Sequence, residues 1–270
     1  MKSCVTVSLV KEAKGGPFVF WDDLPRAINK ARELGYDAVE VFAPDVQTLA
    51  ASNLEKLLTG SKLELAAFGT GAGWVKHKLT LTSADSAVRE KARAFIRDFI
   101  DLAKLYSTSV IIGSMQGRFE GSVTRDQALK WLGESLVELG QYAAKSGVGI
   151  LYEPLNRYET NLLNRLEEVV PFVRALQTPN IRILADLFHM NMEEANVPEA
   201  IRQTGALIGH IHFVDSNRRA AGMGHTDFGP IFKALNDIGY NGYISAEAFP
   251  LPDSDAAAAQ TIKAFRANTG

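Results

Sequence analysis

Short β-rich runs alternate with longer segments of helical periodicity along all 270 residues of the chain. Between these runs, apolar residues recur every three or four positions, as in 24–35, 88–106 and 128–147. Such an alternation predicts parallel strands joined by helical crossovers. The strand candidates are CVTVSL (4–9), AVEVF (38–42), LELAAF (63–68), VIIG (110–113), GILYE (149–153), IRILAD (181–186), GHIHFV (209–214) and GYISAE (242–247).

The first and last units of this alternation are similar to each other, which favours a closed barrel over an open doubly wound sheet. Residues 27–42 and 234–249 each contain a helical segment, a Gly-Tyr turn and a strand close to a glutamate. The chain length is near that of a typical barrel of this kind, about 250 residues. No linker, low-complexity tract or block of charge divides the chain. We therefore predict a single (β/α)8 TIM barrel over residues 1–270.

Charge and cysteine content argue against several classes of protein. The chain has 29 basic and 31 acidic residues, and they are mixed along its length, so no basic surface is available to follow nucleic-acid phosphates. The single Cys4 excludes an internal disulfide and makes the cytoplasm the expected location. The N-terminal apolar run is shorter than a signal-peptide core, and no stretch approaches the roughly 18 apolar residues of a membrane span. We expect neither nucleic-acid nor membrane partners.

Four side chains with metal-ligating chemistry lie at the ends of four consecutive strand candidates: Glu153, Asp186, His212 and Glu247. Each gap between them is close to the length of one βα unit, so all four are expected at the carboxyl-terminal mouth of the barrel. A lone glutamate at a strand end is usually a solvated cap, but several inward-facing carboxylates compensate one another only around a cation. Three carboxylates and one imidazole suit Mn²⁺, Mg²⁺ or Co²⁺ better than a structural zinc.

Two further features of the sequence can be interpreted either as functional or as structural. His210 and His212 lie on the same side of their strand, and the later residue is nearer the mouth. We therefore predict His212 as the ligand and His210 as a packed histidine beneath it. The Gly-rich piece GTGAGW (69–74) opens no immediate helix in our interpretation, which favours an active-site loop over a phosphate cradle.

Several segments, taken together, resemble a known family. They are EPLNRYE (153–159), DLFHMN (186–191), HFVDSNRRAAGMGHTDF (212–228) and SAEAF (245–249). In this order and spacing they resemble the xylose-isomerase-like TIM-barrel superfamily, and within it the ketose 3-epimerases of the D-tagatose and D-psicose type. The resemblance covers nearly the whole chain in its alternating pattern, and its motifs are specific from Glu153 onward.

The resemblance implies a metal-dependent ketose 3-epimerase, an isomerase of carbohydrate metabolism that acts on a small sugar. It implies one divalent metal, Mn²⁺ in the first place, bound by the four residues named above, two of which, Glu153 and Glu247, also move the protons. It further implies that Glu159, His189 and Arg218 hold oxygens of the substrate. Members of the family are often homodimers or homotetramers.

The chemistry of the residues agrees with these roles. Removing a proton from a carbon beside a ketone leaves an enediolate, whose charge a metal stabilises and whose formation a carboxylate can promote. Epimerisation removes a proton from one face and returns one to the other. Glu153 and Glu247 lie on the fifth and eighth strand candidates, so they can flank a bound sugar. His189 and Arg218 can donate hydrogen bonds to a polarised oxygen.

Simpler interpretations stay open for the residues outside the four ligands. Arg218, beside Arg219, could be a solvated loop residue, and Glu159 could cap the helix after the fifth strand. Asn156 is consistent with turn chemistry alone and is left out of the predicted site. Arg118 near the mouth could meet a phosphate or carboxylate of a substrate, although a surface position is favoured.

Three other functions compete with a ketose 3-epimerase. An aldose–ketose or hydroxypyruvate-type isomerase would use the same metal and acids but move the proton between adjacent carbons. An apurinic-site endonuclease would need several zinc ions, more histidine ligands and a basic face. A non-catalytic sugar-binding barrel would lack a ligand or a base, and the sequence has both.

Overall fold

Eight parallel strands close into a barrel in the computed structural model, which describes residues 1–269. The strands follow the chain in order around the barrel, and β1 pairs with both β2 and β8. The predicted (β/α)8 barrel is therefore confirmed. The strands are β1 Lys2–Ser8, β2 Ala38–Phe42, β3 Glu64–Gly69, β4 Ser109–Ile112, β5 Gly149–Tyr152, β6 Ile181–Asp186, β7 Ile208–His212 and β8 Tyr243–Ala246. A two-residue strand, Phe20–Trp21, extends the sheet beside the end of β1.

Helices connect the strands on the outside of the barrel. They are α1 Leu24–Leu34, α2 Val46–Ala51, α3 Leu54–Ser61, α4 Ala72–Val75, α5 Ser86–Tyr106, α6 Arg125–Ala144, α7 Leu166–Ala175, α8 Leu187–Glu193, α9 Val197–Thr204, α10 Phe228–Asp237 and α11 Ser254–Thr269. The three helical segments predicted from periodicity correspond to α1, α5 and α6. Within the described residues, no helix combines the length and the apolar character needed to cross a membrane.

Local sequence signals set the ends of these helices. At the start of α1, the Asp23 carboxylate accepts a hydrogen bond from the Arg26 backbone amide at 2.9 Å, and Gly35 ends the helix at a φ of 77°. The Gly-rich loop differs from our expectation, because α4 begins directly at Ala72. The Val75 amide donates to the Gly71 carbonyl at 3.0 Å, so the glycines turn the chain into one helical turn at the mouth.

The core has two layers. The larger one lies between the sheet and the helices and contains most of the buried aliphatic and aromatic side chains. The second lies inside the barrel and is small, with residues such as Ile111, Leu151 and Leu184 beneath the mouth and Cys4 and Ala38 near the floor. Buried polar residues take up the space between these groups, including Glu40, His210 and His212. The barrel interior is therefore unusually polar, and this polar layer directly underlies the predicted metal site.

Two β-bulges border this polar layer. Between β2 and β3 the register shifts at Val39/Glu40, and between β6 and β7 it shifts so that Gly209 has no partner. A bulge re-aims the side chains next to it. Gly209 is required for packing, because a Cβ there would lie 2.6 Å from the Cβ of Arg182 and 2.9 Å from a methyl group of Leu151. The strand irregularities thus occur where Glu40 and His210 are placed inside the barrel.

Candidate active site

The four predicted metal ligands converge at the carboxyl-terminal mouth of the barrel. Each offers a ligand atom, and these atoms lie within 4.8 Å of one another. The Nδ1 atom of His212 lies 3.5 Å from Glu153 Oε1, 3.4 Å from Asp186 Oδ2 and 3.5 Å from Glu247 Oε2. All four side chains are buried. The structure therefore brings together the complete ligand set proposed from strand-end positions.

The chemistry of this cluster fits a divalent cation. Three carboxylates point toward one imidazole nitrogen in a buried space, where unpaired charges are costly. Asp186 Oδ2 and His212 Nδ1 are buried and have no hydrogen-bond partner. A cation at this point would satisfy both atoms and the repelling carboxylates together. Oxygen ligands with one imidazole suit Mn²⁺, Mg²⁺ or Co²⁺.

The carboxylates of the cluster differ in their proton affinity. Burial, together with the neighbouring charge of Glu247, raises the pKa of Glu153 above its usual range. Burial also acts on Asp186, but nearby positive charge, including that of Arg218, outweighs it and lowers the pKa of Asp186. Environments that separate the pKa values of neighbouring acids mark different roles in proton transfer. The environments of Glu153 and Asp186 thus differ, although both side chains belong to the same cluster.

His189 is held so that it can donate a hydrogen bond into the site. Its Nδ1 atom accepts from the backbone amide of Asn156 at 3.3 Å and lies 2.7 Å from the Asn156 side-chain amide. Because Nδ1 faces donors, the ring proton resides on Nε2. That Nε2 atom is buried without a partner and lies 3.9 Å from Glu153 Oε1. His189 therefore presents a free donor beside the carboxylates, in agreement with its predicted role toward substrate oxygen.

Arg218 lies in the site and is not a solvated loop residue. Its Nη2 atom donates to Glu247 Oε2 at 2.9 Å, and its Nη1 atom donates to Glu159 Oε1 at 3.2 Å. The guanidinium also stacks over the Phe188 ring at 4.6 Å, and the side chain is only 13% exposed. A planar cation fixed by two carboxylates and one ring is pre-oriented toward a substrate oxygen.

Glu159 is placed at the outer edge of the same group. It accepts from Asn156 Nδ2 at 3.0 Å in addition to its contact with Arg218, and its side chain is 42% exposed. Glu159 does not cap the helix that follows β5, because that helix, α7, begins only at Leu166. The predicted substrate-binding residues Glu159, His189 and Arg218 are thus brought together.

Two residues that sequence reasoning left out hold this arrangement in place. Asn156 contacts both His189 and Glu159, so its position after β5 is more than turn chemistry. Asp215 is buried and accepts from the backbone amides of Ser216, Gly222 and Thr226 at 2.8 to 3.1 Å. These bonds shape the loop that carries Arg218. The signal that could have found Asp215 is an acid followed by a glycine-rich loop, whose free amides need an acceptor.

A large cavity leads from the cluster to the surface, with a volume of about 940 Å³. The metal-site end is lined by Glu153, His189, Arg218 and Glu247. Arg118 is exposed at the rim, which matches the surface position favoured from sequence. The outer wall comes mainly from the loops after β1, β3 and β4 and from Tyr158, and includes Phe18, Phe42, Trp74, Lys78 and Arg118.

Similarity to known proteins agrees with this geometry. A family model described as "Xylose isomerase-like TIM barrel" matches residues 28–268. A D-psicose 3-epimerase from Ruminiclostridium cellulolyticum is 32% identical over 246 residues, which cover 86% of this chain and 82% of that protein. A 3-dehydro-D-guloside 4-epimerase from Escherichia coli is 35% identical over 239 residues, covering 84% and 88%.

The fold comparison gives the same result. The solved structure of a D-psicose 3-epimerase with D-tagatose from Clostridium cellulolyticum H10 superposes with a TM-score of 0.83. The two chains are 25% identical, and the match covers 99% of each. The resemblance proposed from the motifs after Glu153 is therefore confirmed, and the chain belongs to the xylose isomerase-like TIM barrel family, in the group that contains the ketose 3-epimerases.

Proposed function

We propose that this protein is a metal-dependent ketose 3-epimerase. The observation that carries the proposal is the buried placement of two glutamates, Glu153 and Glu247, in one four-ligand cluster at the inner end of the cavity. Relatives about 30% identical over most of the chain are D-psicose and L-ribulose 3-epimerases. A ketose 3-epimerase was the function expected from sequence, and 3-epimerase is the activity in the names of these relatives.

The proposed mechanism assigns a task to each side chain. Glu153, Asp186, His212 and Glu247 would hold a divalent cation, which would supply positive charge for the negative charge that develops on the sugar oxygens. One glutamate takes the C3 proton from one face of the ketose, and the other returns a proton to the opposite face. His189 and Arg218 donate hydrogen bonds to substrate oxygens.

Finer assignments belong to the same proposal. We propose Mn²⁺ as the native metal, because three carboxylates and one imidazole form a hard ligand set. A cytoplasmic location agrees with the single reduced, buried Cys4. A homodimer or homotetramer is proposed from the family resemblance.

Product analysis in deuterated water tests the proposal. The Mn²⁺-loaded protein is incubated with D-psicose, D-fructose, D-tagatose and L-ribulose, and with the corresponding aldoses, and products are identified by NMR. We expect inversion at C3 with deuterium incorporated there. Aldose products without inversion at C3 would instead establish an aldose–ketose isomerase. Cleavage of DNA at abasic sites, with no action on sugars, would establish an endonuclease.

A keto-glycoside epimerase is a second candidate, favoured by the size of the cavity. Cavities that enclose drug-sized ligands measure about 300–1,000 Å³, so 940 Å³ exceeds what one free hexose needs. Trp74 is 40% exposed at the wall, and an exposed aromatic face can stack on a second ring or an aglycone. The 35% identical relative from Escherichia coli is named for a glycoside substrate.

The Trp74→Ala variant distinguishes these two substrates. If a glycoside is the substrate, KM for a 3-keto-glycoside is expected to rise about three- to tenfold, as for the loss of a stacking contact of about 0.5–1.5 kcal/mol. KM for a free ketose should stay within about twofold of the parent value. Steady-state kinetics on both substrates provide the measurement. Equal effects on both would argue against an outer subsite at Trp74.

Arg218 variants test the substrate-orienting role. Arg218→Ala is expected to lower kcat/KM by about 10²–10³-fold, the usual effect of removing one positioned donor. Arg218→Lys should recover only part of this loss, since a lysine lacks the two-pronged geometry that reaches Glu159 and Glu247 together. Arg26→Ala, which removes an exposed ion pair with Asp255 outside the cavity, serves as the matched control. An Arg218→Ala variant as active as this control would refute the role.

A further inference from the structure

A buried carboxylate beneath the metal site has no role in the function proposed so far. Glu40 lies in β2, has no exposed surface and is surrounded by the barrel interior. It is not among the four predicted ligands. In sequence, it is a charged residue within the apolar run AVEVF, so its burial needs an explanation.

Two histidines of β7 are the partners of this carboxylate among the described residues. Glu40 Oε1 lies 3.0 Å from His212 Nε2, and Glu40 Oε2 lies 2.6 Å from His210 Nε2. Each carboxylate oxygen is thus engaged by a different ring. The contact between His212 and Glu40 is a hydrogen bond, whereas His210 Nε2 makes a close approach to the second oxygen.

The contact to His212 determines which ring nitrogen faces the metal cluster. A neutral imidazole carries one N–H group and one lone pair. With Nε2 donating to Glu40, the lone pair lies on Nδ1, the atom 3.4 to 3.5 Å from the three carboxylate ligands. A carboxylate on the far side of a ligating histidine fixes ring orientation and raises ligand basicity.

The rest of the polar layer keeps Glu40 in this position. His210 Nε2 lies 2.6 Å from the second oxygen and so limits the rotation of the carboxylate away from His212. Ala66 of β3, opposite Val39/Glu40, and Gly209, beside His210, are the residues left without a partner at the two register shifts, so both irregularities adjoin these side chains. We propose that Glu40 is a positioning residue, which orients His212 for metal binding through Nδ1 and is itself held by His210.

The competing interpretation is a second metal site at Glu40, His210 and His212, whose ligand atoms also lie close together. The contacts favour the positioning role, because His212 Nε2 already makes a hydrogen bond to Glu40 Oε1 at 3.0 Å and the group offers a single carboxylate. His212 has a separate nitrogen for each neighbour. The polar layer thus positions the ligands of a single metal ion, the one at the four-ligand cluster.

Metal binding tests this proposal, which rests on the metal centre of the proposed function but not on the sugar reaction. Purified metal-free protein is titrated with Co²⁺ by calorimetry for the parent, Glu40→Gln and Glu40→Asp. We expect one ion per parent chain and about 10–100-fold weaker binding by Glu40→Gln. Glu40→Asp should bind Co²⁺ with intermediate affinity, since the shorter side chain keeps the negative charge but places it farther from His212. Glu64→Gln, on the neighbouring strand but at the exposed ion pair with Lys2, is the matched control and should bind like the parent.

Proton NMR of the Co²⁺-loaded proteins gives a readout that a merely structural role would not change. The parent should show a shifted, slowly exchanging ring N–H signal from His212, and Glu40→Gln should lose it or exchange it rapidly while circular dichroism shows the same fold. Unchanged affinity and an unchanged signal in Glu40→Gln would overturn the proposal, as would two Co²⁺ ions per parent chain. If Glu40→Gln fails to fold, Glu40→Asp decides by the same two measurements.

A parent that binds no Co²⁺ would refute the metal centre itself, whereas a parent that binds Co²⁺ but inverts no sugar would refute only the proposed reaction.

Discussion

The Glu153→Gln and Glu247→Gln variants are each expected to lower kcat for epimerisation by about 10²–10⁴-fold, the contribution of a positioned acid or base. Each amide keeps the size of the side chain but removes the group that exchanges a proton. The two variants should differ in a way that identifies the face each residue serves. In deuterated water, each is expected to exchange the C3 hydrogen of one epimer only, and the two should be opposite in this respect.

Metal content must be measured in the same samples, because both glutamates are also predicted ligands. Kinetics are therefore compared at saturating Mn²⁺, with the bound metal determined by elemental analysis. Glu64→Gln provides an exposed control of identical chemistry. If either variant bound metal and turned over like the parent, its assignment as a proton carrier would be wrong.

Removal of the metal is expected to abolish turnover and lower thermal stability together. Without a cation, Glu153, Asp186 and Glu247 face one another in a buried space. A ligand present at 100 times its Kd stabilises the folded state by about 2.7 kcal/mol. At about 2–4 °C per kcal/mol for a chain near this size, chelation should lower Tm by about 5–11 °C.

Calorimetry before and after dialysis against a chelator measures this change, and added Mn²⁺ should restore both Tm and activity. Asp186→Asn is the matched variant. Its side-chain oxygen can still accept from the Phe188 amide at the start of α8, where Asp186 Oδ1 accepts at 2.7 Å, but it loses a charged ligand. Its Tm should respond little to Mn²⁺. A parent protein whose Tm and activity are unaffected by chelation would contradict the metal centre.

The fold and the four-ligand cluster could be predicted from sequence because both follow from periodic patterns. Parallel strands in a barrel end at one mouth, so a ligating residue at each strand end is sufficient to predict that they meet. His212 was separable from His210 because both lie on the same side of β7 and the later residue is nearer the mouth.

The supporting contacts could not be predicted in the same way, because they join residues far apart in the chain. Glu40 and His212 are 172 positions apart, and the sequence shows only an acid in an apolar run. Asn156 and His189 meet because the loop after β5 and helix α8, which follows β6, converge at the mouth. The helical turn α4 was missed because it is too short to show a period. Buried acids in apolar strands are nevertheless a usable signal for such residues.

The two halves of the chain line different parts of the cavity. The groups that would perform the reaction, Glu153, His189, Arg218 and Glu247, all follow residue 152, whereas the outer wall with Phe18, Trp74 and Arg118 comes largely from loops that precede residue 124. Selection can therefore act on substrate choice and on chemistry almost independently. Exchange of the early loops between relatives offers a direct route to redirected sugar specificity that leaves the reacting carboxylates intact.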